Sequence, residues 1–276
     1  PAPEEVDARN VAGFLQGTDP ALREEWILVG AHHDHLGFFT GEGDTVYNGA
    51  DDNASGVAGV LEIARLMSER KPRRSILFVT FAAEEEGLLG SRVLVDEQIP
   101  AGTVIFMLNL DMIGRNPGDP VLVGGDGYAR GVRDVVSGVQ EALEEAVRPG
   151  EGVRHAEAGF AGGMPDGLEL RFSGTRYLGN SDHHPFFERG IPFLAFFTGV
   201  HPDYHGLGDE AHKLDYARMA GGVRLAYGVA ADLAGRDRAP GFIHRIAWLG
   251  LQVEVEDAPD SGEEPAAVRE GARKPR

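Results

Sequence analysis

Cysteine is absent from all 276 residues. That absence removes disulfides, thiolate metal sites and cysteine nucleophiles together, while leaving the redox compartment open, because a cysteine-free chain is stable in either. Basic residues are scarce too: 26 Lys and Arg stand against 44 Asp and Glu, for a formal net charge of −18. Nucleic acid and anionic membrane surfaces are therefore not expected as partners. No run of about 18 uncharged apolar residues occurs, so no membrane span is expected; the longest runs, 75–83 and 191–200, are strand-length. The 39 glycines follow no three-residue period, which excludes a collagen-like chain. No signal peptide is visible, and the opening Pro1-Ala2-Pro3 without methionine reads as a processed or trimmed chain.

What is present describes a globular protein. With 42% apolar and 25% charged residues, a chain of this size buries about three-quarters of its unfolded surface, and one large α/β unit is the simplest organisation. Apolar runs at 26–31, 75–81, 103–112, 121–123 and 191–197 read as buried strands. Between them, apolar residues recur at helical spacing over 53–70, 132–148 and 214–233, and 87–98 reads as a short helix. This alternation predicts an α/β fold around a largely parallel sheet. Residues 159–174 are Gly-rich and read as an irregular loop of the kind that borders sites. After Gly235 the composition shifts, so 236–276 is expected to be a linker and a partly disordered extension, with 242–255 able to add a strand.

The polar residues at the C-terminal ends of the strands are not explained by packing, and that edge is where ligands gather in open α/β sheets. His32-His33-Asp34-His35 follows the first strand, Asp51-Asp52-Asn53 opens a helix, Glu84-Glu85-Glu86 follows the second strand, Asp111 the third, and His201 to His205 the last. Each piece alone has a plain reading: a polar loop for the histidines, dipole-favoured carboxylates for Asp51 and Asp52, a solvated acidic run for Glu84 to Glu86. Asp111 is harder to dismiss. It ends an apolar run, where a charge must be paired or metal-bound. Two histidines with three carboxylates and no sulfur suit zinc or another borderline divalent ion, and form the right complement for two ions sharing a carboxylate. The chemistry that follows is metal-assisted hydrolysis.

Six motifs in order, His32-His33-Asp34-His35-Leu36-Gly37, 49–56, 83–91, 109–114, Ser181-Asp182-His183 and Asp203-Tyr204-His205, resemble the co-catalytic di-zinc aminopeptidase family over residues 10–233. Its superfamily also holds glutamate carboxypeptidases, glutaminyl cyclases and transferrin-receptor-like proteins. The resemblance implies a three-layer α/β/α sandwich with a central mostly parallel, mixed sheet, occupying 1–235 without the insert domain that many relatives carry. It implies two Zn2+ per chain, held by His32, Asp52, Glu85, Asp111 and His205, with Asp52 bridging. Glu84 matches the general base acting on a metal-activated water, Asp34 the carboxylate that orients His32, and Tyr204 the hydroxyl that in some members steadies the oxyanion. Asp182, His183 and Phe186 match a segment beside the metals that walls the substrate pocket.

The implied substrate is a peptide with a free N-terminus, and the implied location is secreted or periplasmic. His201 competes with His205 as ligand, although the family spacing to Asp209 favours His205. His35, His183, His184, His212 and His244 are read as supporting or surface side chains. The alternatives are a carboxypeptidase, an amidohydrolase or a glutaminyl cyclase on the same site, or a non-enzymatic scaffold. A carboxypeptidase needs a basic pocket, for which Arg171 and Arg176 are the candidate donors.

Overall fold

The structure, a computed structural model, describes residues 7–145, 168–176, 178–248 and 251–256, the parts from 244 onward by backbone alone. Seven strands, β1 (Val11–Leu15), β2 (Trp26–His32), β3 (Ser75–Phe81), β4 (Val104–Leu110), β5 (Val121–Gly124), β6 (Leu170–Gly174) and β7 (Phe193–Phe197), form one sheet in the order β1-β3-β2-β4-β7-β5-β6. The central pairs β3·β2, β2·β4 and β4·β7 are parallel, while β1 joins β3 and β5 joins β7 antiparallel. The sheet is thus mixed and mostly parallel, as expected.

The central strands read as unbroken apolar runs because both their faces are covered. Ile27, Val29 and Ala31 of β2 and Phe106 and Leu108 of β4 enter one core, beneath α1 (Gly56–Glu69), α3 (Val132–Glu145) and α5 (Tyr216–Gly235). The alternate residues Leu28 and Met107 enter the other core, beneath α2 (Leu89–Val93) and α4 (His183–Glu188). This period-2 division makes the three-layer sandwich.

Some elements differ from the sequence reading. The 170–174 part of the Gly-rich stretch is strand β6, paired with β5, and residues 159–167 lie outside the described residues. The helix expected from residue 53 starts at Gly56, after a turn over Ala50–Ser55. Beyond Gly235 the chain still packs on the sandwich: Phe242 is buried against Tyr128 and Phe187, and Ile243 N–H donates to the Tyr128 carbonyl. A hairpin of β8 (Ile243–Trp248) and β9 (Leu251–Glu256) follows. No described helix is long and apolar enough to cross a membrane.

Candidate metal centre

The chain leaves β2 to build β3 on one side and then returns to build β4 on the other. At such a switch point the loops diverge and a crevice opens at the C-terminal edge. His32 is the last residue of β2, Glu84 and Glu85 lie three and four residues after β3, and Asp111 directly follows β4. His205 comes from the loop beyond β7. Ala83, Met112 and His205 adopt left-handed backbone at φ 55°, 52° and 52°. Each is, or adjoins, a residue of the centre, and each costs of order 1 kcal/mol for a non-glycine.

Asp52 is held by its neighbours in sequence. Asp209 accepts hydrogen bonds from the Asp51 and Asp52 amides at 2.9 and 3.0 Å. Asp51 in turn accepts from the Gly114 amide at 2.7 Å, and Asn53 donates to the Leu110 carbonyl at 3.0 Å. Of the three consecutive polar residues, Asp51 and Asn53 therefore fasten the turn to the end of β4, and Asp52 alone faces the crevice. Gly49 permits this turn, since its φ is 58° and a Cβ there would lie 2.4 Å from the Asp52 carbonyl oxygen.

At the centre, His32 Nε2 lies 3.3 Å from Asp52 Oδ1 and 3.5 Å from Asp111 Oδ1. His205 Nε2 lies 3.2 Å from Asp52 Oδ2 and 3.2 Å from Glu85 Oε2. The two oxygens of Asp52 thus face two different histidine-carboxylate groups. Zinc bonds of 2.0–2.1 Å in tetrahedral array place neighbouring ligand atoms roughly 3.3 Å apart, so these spacings fit ions. Asp111 Oδ1 and His35 Nε2 are buried without a hydrogen-bond partner, which a cation and a shift of the ring would relieve. The His32 Nδ1 sits 3.1 Å from the Asp34 carbonyl oxygen, which leaves Nε2 free for a metal.

Asp34 does something the sequence did not suggest. Its carboxylate lies 3.8 Å from His32 Nδ1, and accepts instead from the Glu84 and Glu85 amides at 3.0 and 3.2 Å. It therefore holds the Glu84-Glu85 loop against the end of β2. His35, read as a supporting or surface residue, is inside the cluster: its Nδ1 lies 2.9 Å from Glu85 Oε1, and it joins Asp52 and Glu85 in a possible ligand group. His201 lies outside the crevice, 3.4 Å from Asp51 and 3.9 Å from Asp209.

Burial and mutual repulsion of carboxylates set the electrostatics of the centre. Burial, with help from Asp111 and Asp182 and against His32, pushes Glu84 up to about 8. Burial also pushes Asp182 up to about 7 and Asp51 up to about 7. For His32 burial favours the neutral ring, but Asp111 and Asp52 outweigh it and raise the group well above the ordinary imidazole range. Tyr204, stacked on His205 at 3.9 Å, is pushed up to about 12 by burial and the surrounding carboxylates. Behind the centre, Arg115 donates to Asp203 at 2.7 Å and lies 3.6 Å from Asp209. With Lys213 it holds the Asp203 carboxyl down at about 2.

One cavity opens beside the centre. Glu84, Glu85, Asp111, His183, Tyr204 and His205 line its polar side; Met112, Leu122, Ala195, Phe196, Phe197 and Val200 line the other. Among the described residues no Arg or Lys lines it, and neither Arg171 nor Arg176 reaches it. His183 contributes its ring, stacked on Phe193 at 4.6 Å. Phe186 is a correction to the sequence reading: it is 0% exposed, 6.2 Å from Phe81 in the core, and lines no part of the cavity. Its aromatic ring belongs to the apolar face of α4. Asp182 is likewise fully buried and away from the cavity wall. Sequence reasoning missed Arg115 and gave Asp209 only a spacing role; nothing in one chain reveals that an Arg after β4 reaches two aspartates beyond β7.

Residues 10–227 match Peptidase family M28. The chain belongs to peptidase family M28. It is 32% identical over 243 residues to an aminopeptidase of Pseudomonas aeruginosa, a match spanning 84% of this chain and 40% of that protein. Among solved structures it is similar to an aminopeptidase from Aneurinibacillus sp. strain AM-1, with a TM-score of 0.61, 29% identity, and coverage of 84% and 48% of the two chains. It is also similar to a zinc aminopeptidase from Bacillus subtilis, with a TM-score of 0.60, 26% identity, and coverage of 83% and 51%. The M28 chain therefore spans about half the length, or less, of these relatives.

Proposed function

We propose that this M28 chain is an aminopeptidase that hydrolyses the first peptide bond of substrates with a free N-terminus. The observation that carries this reading is the lining of the cavity. Its carboxylates and apolar walls, with no Arg or Lys among the described residues, suit an ammonium group and an apolar side chain better than a C-terminal carboxylate. The relatives named as aminopeptidases support the same reading.

Two zinc ions would be held, one by His32, Asp52 and Asp111, the other by Asp52, Glu85 and His205, with His35 as a further candidate at the second. Zinc there supplies polarisation of the scissile carbonyl and acidification of water. Glu84 takes the proton from the attacking water on its carboxylate and returns it to the leaving amine. Its high pKa without cations falls when positive charge is added beside it, which makes it a base at neutral pH. The Tyr204 hydroxyl donates to the oxygen that becomes negative. Asp111 and Glu84, carboxylates on the cavity wall, would accept from the substrate's ammonium group.

Leucine amide and N-acetyl-leucine amide separate the readings. The zinc-loaded protein is expected to cleave only the first and to stop when a chelator is added. Cleavage of the acetylated amide at a comparable rate would replace the aminopeptidase with an amidohydrolase.

A further inference from the structure

The loop between His35 and Gly49 is unusual in leaving large apolar side chains in water. Phe38 is 74% exposed, Val46 48%, Phe39 43% and Leu36 41%. It is a built tongue: Phe38 pairs with Val46 across an antiparallel bridge, the Phe39 amide donates to the Thr45 carbonyl at 3.1 Å, and the Tyr47 amide to the Gly37 carbonyl at 2.9 Å. Glu42 and Asp44 stand exposed at its tip. Several large apolar side chains exposed together on one ordered loop mark a contact surface.

Through Tyr47 and Phe39 the loop continues the metal centre. The His205 and His35 rings are 5.7 Å apart, His35 and Tyr47 6.5 Å, and Tyr47 and Phe39 6.0 Å. An aromatic ledge therefore runs outward from the Glu85 side of the centre. No residue of the 36–47 loop lines the cavity, whose apolar wall is set by Met112, Leu122, Ala195, Phe196, Phe197 and Val200 near the ends of β4, β5 and β7. With the N-terminal side chain in the cavity and the scissile carbonyl at the centre, the rest of the peptide leaves away from the cavity, along the ledge. The ledge is no longer than about five residues of extended chain.

We propose that the 36–47 tongue binds the substrate downstream of the scissile bond, selecting peptides with apolar or aromatic residues in the positions just after it. The inference rests on the aminopeptidase reading. The acidic tip adds a second preference, against acidic residues in those positions.

The test compares kcat/KM for leucine amide, Leu-Gly-Gly, Leu-Phe-Phe and Leu-Glu-Glu in the wild type, Phe38→Ser, Phe39→Ser and Glu42→Lys, all zinc-loaded. The wild type is expected to prefer Leu-Phe-Phe and to disfavour Leu-Glu-Glu relative to Leu-Gly-Gly. Each serine variant should lose about tenfold on Leu-Phe-Phe while leucine amide, which has no residue to place on the tongue, changes far less. Glu42→Lys should raise Leu-Glu-Glu selectively. A wild type that cleaves all three tripeptides equally, or serine variants that lose leucine amide and Leu-Phe-Phe in the same proportion, would overturn the tongue proposal alone. A wild type that cleaves none of the four would overturn the aminopeptidase reading and the tongue with it.

Discussion

At the scale of single residues, the centre assigns each side chain a separable role. Glu84→Gln keeps the size and the cavity wall but cannot accept a proton; zinc content should stay unchanged while kcat falls by about 10²- to 10⁴-fold, measured by metal analysis beside steady-state kinetics. His35→Ala should behave in the opposite way. It removes the 2.9 Å partner of Glu85, and loss of such a supporting contact weakens metal binding by about 10- to 100-fold, which competition with a chromogenic chelator would measure. Strand ends and a helix start pointed to His32, Asp52, Glu84, Glu85, Asp111 and the 201–205 segment, and the family resemblance chose among them; the fold brings these six side chains to one crevice. His35 was not legible. Three histidines within four residues do not reveal which rings turn inward, and only the fold brings Glu85 from the end of β3 to meet this one.

At the scale of elements, two loops meet through Arg115. Its guanidinium joins Asp203, two residues before His205, to Asp209, whose carboxylate holds the turn carrying Asp52. Arg115→Met should therefore destabilise the fold by about 2 kcal/mol, the order of a lost charged hydrogen bond, in denaturant titration; an unchanged midpoint would show that the two loops are held by other means. Elements legible in advance were those with both faces buried: β2, β3, β4 and β7 announce themselves as apolar runs. The edge strands β1 and β6 do not, because β1 is largely exposed and β6 partly so. The six-residue helix α4 is too short for a helical period to show, and Phe186, read as a pocket residue from the family resemblance, sits on its core side.

At the scale of the whole molecule, buried acids set the pH dependence of the metal-free fold. Asp51, Asp182 and Glu84 all titrate higher in the fold than in the unfolded chain, near 7, 7 and 8. Between the unfolded and folded values the folded state holds more protons, so these groups favour folding at acid pH and that contribution is lost as pH rises through them. His32 and His35, also raised, act in the same sense above about pH 6.5, while the lowered His201 opposes them. The metal-free protein should accordingly lose thermal stability from about pH 5 to about pH 8.5, and zinc should restore most at the alkaline end. A metal-free Tm that rises over this range would contradict the charge assignment.

The most direct test of the whole account is a zinc titration of the metal-free protein, followed by release of ammonia from leucine amide. Chelator-reversible activity is expected to climb to a plateau at about two equivalents per chain, the number of ions that a shared Asp52 would join in a two-metal hydrolase. Full activity at a single equivalent, or cleavage that needs no metal, would contradict it.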